Sequence, residues 1–595
     1  MKFFLILIYF LIEEMKLNLK RLKFIYNFFK QFSIPRYLLY LVNNSFIPSK
    51  DKVFRNYIHR NSQKWKDQNS SKNSNNKNVS IPSIFNHPIY ITSDTIIAKN
   101  LMKIFNANGI ALLDNYDLKK IILFKSFGIK KIVILKNFNI LVRLKYFIKA
   151  YSIIKSCKNM DEFLNFNINN VDIGKAVYDH YIRYSRIGTT NEFSRLFYAN
   201  LSKSLLIYYQ TNKFFKKYKI IASVQSEKQF IPGAIFFQSA LVNGINVYSR
   251  IGPANNRFGV KKYSNINERY TGRGRFSKKI YDLIDKKIRR VAVEIGGEVI
   301  KKRFENIPQY KTWPEYYGLQ EFTKKGKKVK VEKKNITKKD LCNRFGWSLN
   351  SPIVAIFATD LTDGVFDSSW SLFRDRLTWL RETLTEIKKI NNSNWLIKPH
   401  PNDEVNRVIT STVSEVDKIC RNCNHIQLFP NDIAIGSVPK FIDAAVTIQG
   451  SAGTEYPCFG IPTFITAETT ISGLGYTIEP QSKEDYFSQL QNIKKIKKLN
   501  NQQIELAKIY FFIYYKLMDI PVNLIAYMES SIIDEKRFWT LMTKLLNKYD
   551  FREDLLIKMM KIQAKNNDMH TIDYRMIEKT NLDNTLTKLS EDQNP

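Results

Sequence analysis

The sequence has few cysteines, which limits both the disulfide bonds and the metal sites that the protein could form. Its five cysteines are odd in number and scattered along 595 residues. Such a set is not typical of a disulfide framework and favours a reducing compartment. Cys420 and Cys423 form a single C-x-x-C with His425 close behind, but a structural zinc site takes four ligands, and no second pair occurs at a suitable spacing. We therefore expect two cysteines in a helix and turn rather than a metal site.

Long hydrophobic runs are also missing, which argues against a membrane-spanning helix. The apolar run at residues 3–12 is shorter than the roughly 20 residues that a bilayer requires. Glu13 and Glu14 follow where a signal peptide would have small residues at its cleavage site. Over residues 17–30, leucine and phenylalanine interleave with lysine and arginine, which predicts a basic amphipathic helix. That helix either lies in a membrane interface or packs on the protein body. We expect a cytoplasmic protein, peripheral on the inner face of the cell membrane.

Acidic residues are outnumbered, with 54 Asp and Glu against 93 Lys and Arg and a net charge of +39. A surface this basic attracts nucleic acid, an anionic membrane or phosphorylated substrates, although lysine that fills ordinary surface positions gives the same number. No RNA-binding module or stacking aromatic surface is recognisable, so nucleic acid is not an expected partner. The 44% hydrophobic and 13% aromatic content indicates a globular protein, and its length requires more than one domain.

Alternating strand and helix patterns organise the chain. Strands are predicted at residues 88–92, 129–135, 219–226 and 245–249, and then at 352–359, 394–400, 426–430, 444–450 and 461–466. This rhythm predicts an α/β protein with two doubly wound parallel-sheet (Rossmann-like) domains and a cleft between their strand ends. The predicted segments are a basic amphipathic helical extension (1–62), a polar linker (63–80), an N-terminal α/β domain (81–330), a C-terminal α/β domain (331–525), and a helical extension with a polar tail (526–595).

The stretch "WLIKPHPNDE" places a cation and an imidazole at a rigid strand end. Pro399 and Pro401 restrict the backbone on both sides of His400. Lys398 and His400 are therefore held in fixed directions where the predicted strand stops. A phosphate group is the ligand that suits this pair.

A second predicted strand end, "IQGSAGTE", has the form of a phosphate-binding turn. Small residues and hydroxyls there would leave free amides at the start of a helix, which favours anions. Glu455, in the first helical turn, is placed to accept hydrogen bonds from ribose hydroxyls. The nucleotide-binding residues predicted from the two strand ends are Lys398, His400, Gly450, Ser451, Gly453, Thr454 and Glu455.

Three blocks of the C-terminal half together resemble a known family. They are "DSSWSLFRDRLTWLRETLTEIKKINNSNWLIKPHPNDE", "IQLFPNDIAIGSVPKFIDAAVTIQGSAGTEYPCFGIPTFI" and "SGLGYTIEPQSKEDYF". Their order and spacing over residues 352–515 are similar to those of the bacterial capsule polysaccharide biosynthesis family. That family contains GT-B glycosyltransferases, including enzymes that add Kdo from CMP-Kdo. This chain departs from the family pattern at Ala452, where a hydroxyl is common, and at Gln449-Gly450. Its N-terminal half matches only in βαβ outline.

The resemblance implies a GT-B-like fold and a nucleotide-sugar donor, such as a CMP-linked sugar, as substrate rather than cofactor. It also implies a lipid-linked or glycan acceptor and no obligatory metal. Three alternatives stay open: a CDP-polyol phosphotransferase, a sugar-nucleotide epimerase or hydrolase, and a non-enzymatic polyanion-binding protein. The arginines predicted to meet an acidic acceptor, or simply to lie on the surface, are Arg183, Arg186, Arg273 and Arg275.

Glycosyl transfer requires a carboxylate near the anomeric carbon, as base or nucleophile. Glu227 follows a predicted strand of the acceptor-side domain and is the first candidate; a surface carboxylate paired with Lys228 is its structural alternative. Asp363 is the second candidate, because Gly364 would let its loop approach the sugar. Asp360, on the same loop, is the third. Asp367 is predicted instead to cap the helix that follows.

Overall fold

The structure is a computed structural model. It describes residues 30, 32–43, 46–66, 76–83, 87–135, 140–254, 256–269, 278, 280–282, 284, 286–305, 321–324, 327–330, 333–528 and 534–576. The predicted amphipathic helix, apart from Lys30, lies outside these residues, as do Arg273 and Arg275. Within the described part of the chain, every helix is too short or too polar to cross a bilayer.

The first half folds around a six-stranded sheet. Its strands are β1 (Asn78–Ser83), β2 (Asn108–Leu113), β3 (Lys131–Ile134), β4 (Ile220–Val224), β5 (Asn246–Ala254) and β6 (Arg257–Tyr263). The spatial order is β3-β2-β1-β4-β5-β6; all neighbours are parallel except β5 and β6. The carboxyl ends of β1 to β5 therefore lie along one edge.

The second half repeats this design with five strands. After a short hairpin, β7 (Glu321–Lys324) and β8 (Lys327–Lys330), come β9 (Ile353–Phe357), β10 (Asn394–Lys398), β11 (Ile426–Leu428), β12 (Ala444–Thr447) and β13 (Thr463–Ile465). All five are parallel in the order β11-β10-β9-β12-β13. The strand order reverses between β9 and β12, which is the switch point where such sheets bind ligands. The predicted class of two Rossmann-like α/β units is confirmed.

Helices cover both faces of each sheet. The helices of the first half are α1 (Ile34–Val42), α2 (Lys52–Lys66), α3 (Pro88–Phe105), α4 (Leu118–Ser126), α5 (Ile140–Ser156), α6 (Met160–Leu164), α7 (Ile173–Ser185), α8 (Arg195–Lys217) and α9 (Gly233–Val242). Those that follow are α10 (Lys286–Phe304), α11 (Lys338–Phe345), α12 (Arg376–Ile387), α13 (Asn402–Val405), α14 (Thr412–Cys420), α15 (Ala452–Glu455), α16 (Lys483–Gln491), α17 (Asn501–Phe512), α18 (Glu535–Lys548) and α19 (Leu555–Asn566).

The strand β9 shows why these runs form buried strands. Every residue of "IVAIF" is buried, and the side chains alternate between two cores. Val354 and Ile356 pack with α12, α14 and α16, whereas Ile353 and Ala355 pack with α10, α11 and α17. A strand covered on both faces needs a continuous apolar run instead of alternating apolar and polar residues. That continuous run is why the sequence predicted β9 correctly.

Two segments cross between the halves. Helix α10, inside the predicted N-terminal domain, packs along α17 of the second half and shares its core. The C-terminal segment returns to the first sheet, where Phe258 donates its amide to the carbonyl of Ile520 at 2.9 Å and Thr571 donates to Val260 at 3.0 Å. Helices α18 and α19 then complete the core beside β1 and β2. The predicted domain limits along the chain stay a prediction.

The contact between α10 and α17 predicts opposite effects at two adjacent glycines. A Cβ at Gly296 would lie 2.2 Å from the carbonyl oxygen of Lys508, whereas at Gly297 the nearest atoms are side-chain carbons of Lys508 at 3.7 Å. We expect Gly296→Ala to lower the free energy of unfolding by about 1–3 kcal/mol through forced separation of the helices. Gly297→Ala should raise it by up to about 1 kcal/mol, because alanine favours helix. Urea unfolding of both variants tests this, and equal shifts would contradict the close packing.

Two local predictions are wrong. Residues 88–92, predicted as a strand, form the first turn of α3, and the strand β1 lies earlier, starting at Asn78 inside the predicted linker. Pro88 stands in the first turn of the helix, a position that suits its fixed φ and missing donor. Asp367 does not cap a helix: α12 begins only at Arg376, and Asp375 accepts from the amide of Thr378 at 2.8 Å as its cap.

Candidate active site

The carboxyl edges of the two sheets meet through two loops. We call residues 225–232 the β4 loop and residues 358–375 the β9 loop. Lys228 of the β4 loop pairs with Asp367 of the β9 loop at 3.3 Å. A Cβ at Gly364 would lie 2.5 Å from the side chain of Gln229. The sequence-predicted carboxylates Glu227, Asp360 and Asp363 are therefore brought to one interface between the halves.

Asp360 is the most heavily hydrogen-bonded carboxylate of the interface. Its Oδ1 accepts from the amide and hydroxyl of Thr362, both at 2.9 Å. Its Oδ2 accepts from Asn402 and Asn406 at 2.8 Å and from Arg183 of α7 at 3.2 Å. Burial alone would raise the pKa of Asp360, but these bonds and the Arg183 charge outweigh it and lower the pKa. A carboxylate so well satisfied is suited to hold the β9 loop to α7 and to the residues that follow β10.

Lys398 ends β10 as a cation facing the interior of the site. Its ammonium lies 5.4 Å from the ring centre of Phe429. Burial, followed by repulsion from Lys333, lowers the pKa of Lys398 to about 8, and the charge of Glu455 partly opposes this. Since β9 pairs in parallel with both β10 and β12, the β10 end and the turn after β12 lie at the same edge of the sheet, one strand apart. An anion bound between them would restore the ordinary pKa of the lysine.

His400 is held as a neutral hydrogen-bond donor. Its Nδ1 accepts from the backbone amide of Asn402 at 3.1 Å. Burial lowers the pKa of His400 to about 4; Asp360 raises it, and the charges of Arg376 and Lys398 add to the lowering. A neutral ring whose Nδ1 accepts must carry its proton on Nε2. The half-buried imidazole thus offers one N–H to a ligand oxygen.

The turn after β12 is less open to anions than predicted. The amide of Gly450 donates to the Thr447 hydroxyl at 3.0 Å. The amide of Gly453 donates to the Gly450 carbonyl, and those of Thr454 and Glu455 donate to Ser451. The prediction of free amides is therefore wrong at Gly450, Gly453 and Thr454, whose amides are bonded within the turn and the short helix α15. Ser451 is exposed and Thr454 is buried, so hydroxyls remain the turn's contribution to binding.

Glu455 forms a buried ion pair that the sequence did not reveal. Its Oε1 accepts from Nε and Nη2 of Arg303, both at 2.7 Å. Arg303 belongs to α10, so this pair ties the crossing helix to the turn. The predicted contact with a ribose would have to use Oε2 of Glu455.

Arg376, at the start of α12, is a second basic residue that sequence reasoning missed. Its guanidinium donates to the carbonyls of Asp360 at 2.7 Å and Gly364 at 3.3 Å. Its Nε is buried and has no hydrogen-bond partner among the described residues. Asn402 and Asn406 were also missed, although their spacing of four puts both on the side of α13 that reaches Asp360. The spacing of the two asparagines in the sequence could have predicted that they act together, but no sequence pattern points to Arg376.

Glu227 lies buried in the β4 loop, and its pKa is raised above that of an ordinary glutamate. Its Oε1 accepts from the amides of Gln229 at 2.5 Å and Phe230 at 2.9 Å. Burial raises the pKa of Glu227 to about 7 against the lowering effect of those amides, and the charge of Asp363 raises it further. The loop is anchored by Asp94 of α3, which accepts from the hydroxyl of Ser226 at 2.5 Å. A carboxyl group that titrates near neutrality is suited to proton transfer.

Asp363 is the more accessible carboxylate, with 44% of its side chain exposed. Arg183 lies 4.0 Å from its Oδ1. Burial raises the pKa of Asp363, Arg183 opposes this, and the neighbouring Asp360 charge adds to the rise. The charge of Asp363 in turn raises the pKa of Glu227 across the interface. Among the described residues, no group of three or more His, Cys, Asp or Glu is placed to hold a metal ion.

Comparison with known proteins gives only distant similarities. No family model and no curated protein matches this chain. Among solved structures, the beta Kdo 2,4 transferase of Thermosulfurimonas dismutans KpsC aligns with 51% of this chain and 82% of its own, at 10% identity and a TM-score of 0.30. The beta Kdo 2,7 transferase of the same KpsC aligns with 60% of this chain and 89% of its own, at 12% identity and a TM-score of 0.29. A UDP-GlcNAc 2-epimerase from Neisseria meningitidis, bound to UDP-GlcNAc, aligns with 73% of this chain and 95% of its own, at 12% identity and a TM-score of 0.22.

Proposed function

We propose that this protein is a metal-independent glycosyltransferase of capsule or other surface polysaccharide assembly. It would transfer a sugar from a nucleotide donor to a lipid-linked or glycan acceptor. One observation carries the proposal: Glu227, a carboxyl group whose pKa burial raises to about 7, lies in the β4 loop, which contacts the β9 loop of the sheet that carries Lys398 and His400. The resemblance of residues 352–515 to the capsule biosynthesis family supports a Kdo-like sugar carried on CMP as the specific donor.

The donor side of the site would hold the nucleotide phosphate. Lys398 supplies the positive charge, and His400 donates a hydrogen bond from Nε2. The buried Nε of Arg376, which has no hydrogen-bond partner among the described residues, is a further donor. Hydrogen bonds to a charged group are each worth about 1.5–3 kcal/mol. Because Lys398 and His400 are fixed by the strand and the prolines, little ordering is needed before the phosphate binds.

The chemistry would proceed by proton removal and displacement. Glu227, as carboxylate, accepts the proton of an acceptor hydroxyl while that oxygen bonds to the anomeric carbon of the donor sugar. The bond between the anomeric carbon and the phosphate oxygen breaks, and its electron pair leaves with the nucleotide. Lys398 and His400 stabilise the charge that develops on the departing phosphate. The pair of Arg183 with Asp360 would hold the β9 loop against α7 of the first half during this step.

A sugar-nucleotide epimerase is a second candidate, favoured by a specific feature. Glu227 and Asp363 both have raised pKa values and lie on opposite loops of one interface. Two such groups could remove and return a proton on one sugar without any acceptor. Incubation with nucleotide sugar alone separates the two functions: an epimerase yields an isomeric nucleotide sugar, whereas the proposed transferase gives no isomer.

A thermal-shift screen with CMP, CDP, UDP and GDP tests the nucleotide site. A ligand at about 100 times its Kd stabilises a protein by about 2.7 kcal/mol, so we expect a clear rise in melting temperature, largest with CMP. His400→Ala should weaken that ligand by about 10- to 100-fold, as for one lost bond to a charged group. The melting temperature without ligand should barely change, since His400 is only partly buried.

The matched control is His425→Ala. His425 lies just before β11, at the amino end of that strand, and contacts the carbonyl of Ile387 at 3.2 Å. The nucleotide shift should survive in this variant. Absence of any nucleotide shift in the wild-type protein would refute the proposed site. A His400→Ala protein that melts early but keeps its nucleotide affinity would show that His400 is only structural.

A further inference from the structure

A large cavity lies at the edge of the first sheet opposite to the candidate active site. Its volume is about 1270 Å³, and its lining includes Asn78, Asn108 and Lys131, the first residues of β1, β2 and β3, and Lys219, just before β4. Because these strands are parallel, their amino ends lie away from the β4 loop. Strands of five or six residues put roughly 15–20 Å between this cavity and Glu227. We call it the basic cavity.

The lining is far more basic than the chain as a whole. Nine of its 23 residues are Lys or Arg, about two in five, whereas the chain has 93 in 595, about one in six. The one carboxylate of this lining, Asp550, is paired with Arg552 at 2.6 Å and so adds little free negative charge. Such a concentration of cations in a concave surface focuses positive potential toward an anion.

One lysine of the lining is itself buried. Lys99 of α3 is only 3% exposed, and its ammonium lies 5.7 Å from the centre of the Trp65 ring. Burial lowers the pKa of Lys99 to about 8. A cation already removed from water interacts more strongly with an incoming anion than a fully hydrated one. Exposed lysines surround it, including Lys103, Lys130, Lys131 and Lys219.

An apolar helix is attached beside this cavity. In α1, Leu38, Leu41 and Val42 are 58%, 62% and 90% exposed. The helix is fixed to α4 by a hydrogen bond of 3.0 Å from Lys125 to the Tyr40 hydroxyl, three residues before Gly128 of the cavity lining. Exposed leucine and valine next to clustered lysines are the two features that bind a protein to an anionic bilayer.

We propose that the basic cavity binds the phosphate headgroups of anionic phospholipids, with α1 contacting the bilayer beside it. Headgroup phosphates match the clustered ammonium groups, and a lipid surface accounts for the exposed apolar side chains, which a soluble phosphate compound would not. This site is independent of the proposed nucleotide site and lies at the far edge of the sheet.

The test compares two full-length variants of equal charge. The cavity variant carries Lys103→Gln, Lys130→Gln, Lys131→Gln and Lys219→Gln. The control variant carries Lys494→Gln, Lys495→Gln, Lys497→Gln and Lys498→Gln, four exposed lysines of the second half. Binding to vesicles of phosphatidylcholine with and without anionic phosphatidylglycerol is measured by cosedimentation at low and high salt.

We expect wild-type protein and control variant to bind the anionic vesicles and to release them at high salt. The cavity variant should bind on the order of 1,000-fold more weakly, since each of the four lysines near the surface contributes about 1 kcal/mol. Its melting temperature and its nucleotide shift should match the wild type, which separates this result from failure of the proposed function.

Three outcomes would overturn the inference. The first is equal loss of binding in both variants, which would indicate net charge alone. The second is unchanged vesicle binding by the cavity variant. The third is cavity-dependent binding of soluble tripolyphosphate, measured by calorimetry, by a protein that ignores anionic vesicles. That last result would identify a site for a soluble phosphate compound.

Discussion

Replacing Glu227 with glutamine is expected to slow turnover by about 100- to 10,000-fold, the usual effect of losing a general base. Glutamine keeps an oxygen that can accept from the amides of Gln229 and Phe230, so the β4 loop should retain its shape. It cannot accept the proton of an acceptor hydroxyl. Initial rates with the nucleotide sugar selected by the ligand screen measure this effect. Nucleotide affinity should stay near that of the wild type, because Glu227 belongs to the opposite loop.

The pH dependence of the same variant gives a second readout. With a pKa of about 7 for Glu227, kcat/KM of the wild type should fall as pH drops below about 7, when the base becomes protonated. The residual activity of Glu227→Gln should lack this limb. Asp363→Asn is the matched comparison, since it removes the charge across the interface. If Asp363→Asn abolishes turnover and Glu227→Gln retains most of it, the base lies on the β9 loop instead.

The raised pKa of Glu227 also affects stability, with a definite sign. The folded protein binds this proton more tightly than the unfolded chain, so the contribution of Glu227 to stability is complete below about pH 4.5 and is lost as pH rises to about 7. Over that window the loss attributable to Glu227 is about 3 kcal/mol. Glu227→Gln should be more stable than the wild type at pH 8 and close to it near pH 4.5.

Asp360→Ala is expected to lower the free energy of unfolding by about 3–5 kcal/mol, the effect of removing one partner of a buried ion pair. The change would leave Arg183, Asn402 and Asn406 without the oxygen to which all three donate. These groups come from both halves of the protein, so their loss weakens the interface and the β9 loop together. Urea unfolding followed by tryptophan fluorescence measures the shift.

Asp367→Ala in the same loop is the control for Asp360→Ala. Its partner Lys228 lies 3.3 Å away in a pair that is partly exposed, and such pairs contribute about 1 kcal/mol or less. Because the pKa of Asp360 is lowered, its contribution is complete above the unfolded pKa of about 4 and is lost as pH falls through the folded value. Equal destabilisation by both alanine variants would show that the hydrogen bonds of Asp360 are not decisive.

The parts of the fold that the sequence predicted well are those set by local pattern. Continuous apolar runs such as that of β9 identified the buried strands, and glycine and proline marked where several of them stop. The strand end at Lys398 and His400 was placed correctly because prolines fix the backbone regardless of tertiary context. The first strand was missed because "NVSIPS" is short and follows a polar stretch, while Pro88 was not recognised as a helix start.

Pairing between distant residues could not be predicted. Arg303 and Glu455 are separated by 152 positions, and Arg183 reaches Asp360 across 177. No periodicity links such residues, since their contact depends on how two complete sheets pack. The same limit explains the wrong prediction for Asp367. Its partner Lys228 lies in the β4 loop of the other half, and the residues adjacent to Asp367 in sequence indicated only a helix cap.

The return of the C-terminal segment to the first sheet has a consequence for synthesis on the ribosome. Buried residues of α18 and α19, including Trp539 and Leu556, complete the same core as β1 and β2. The first half therefore emerges with one apolar face uncovered and stays so until residues 535–566 have been translated. Domains usually fold as units while the nascent chain emerges. The core of the first half is therefore made first and completed last. Translation is the period when its uncovered apolar face is most exposed to aggregation and to chaperone binding.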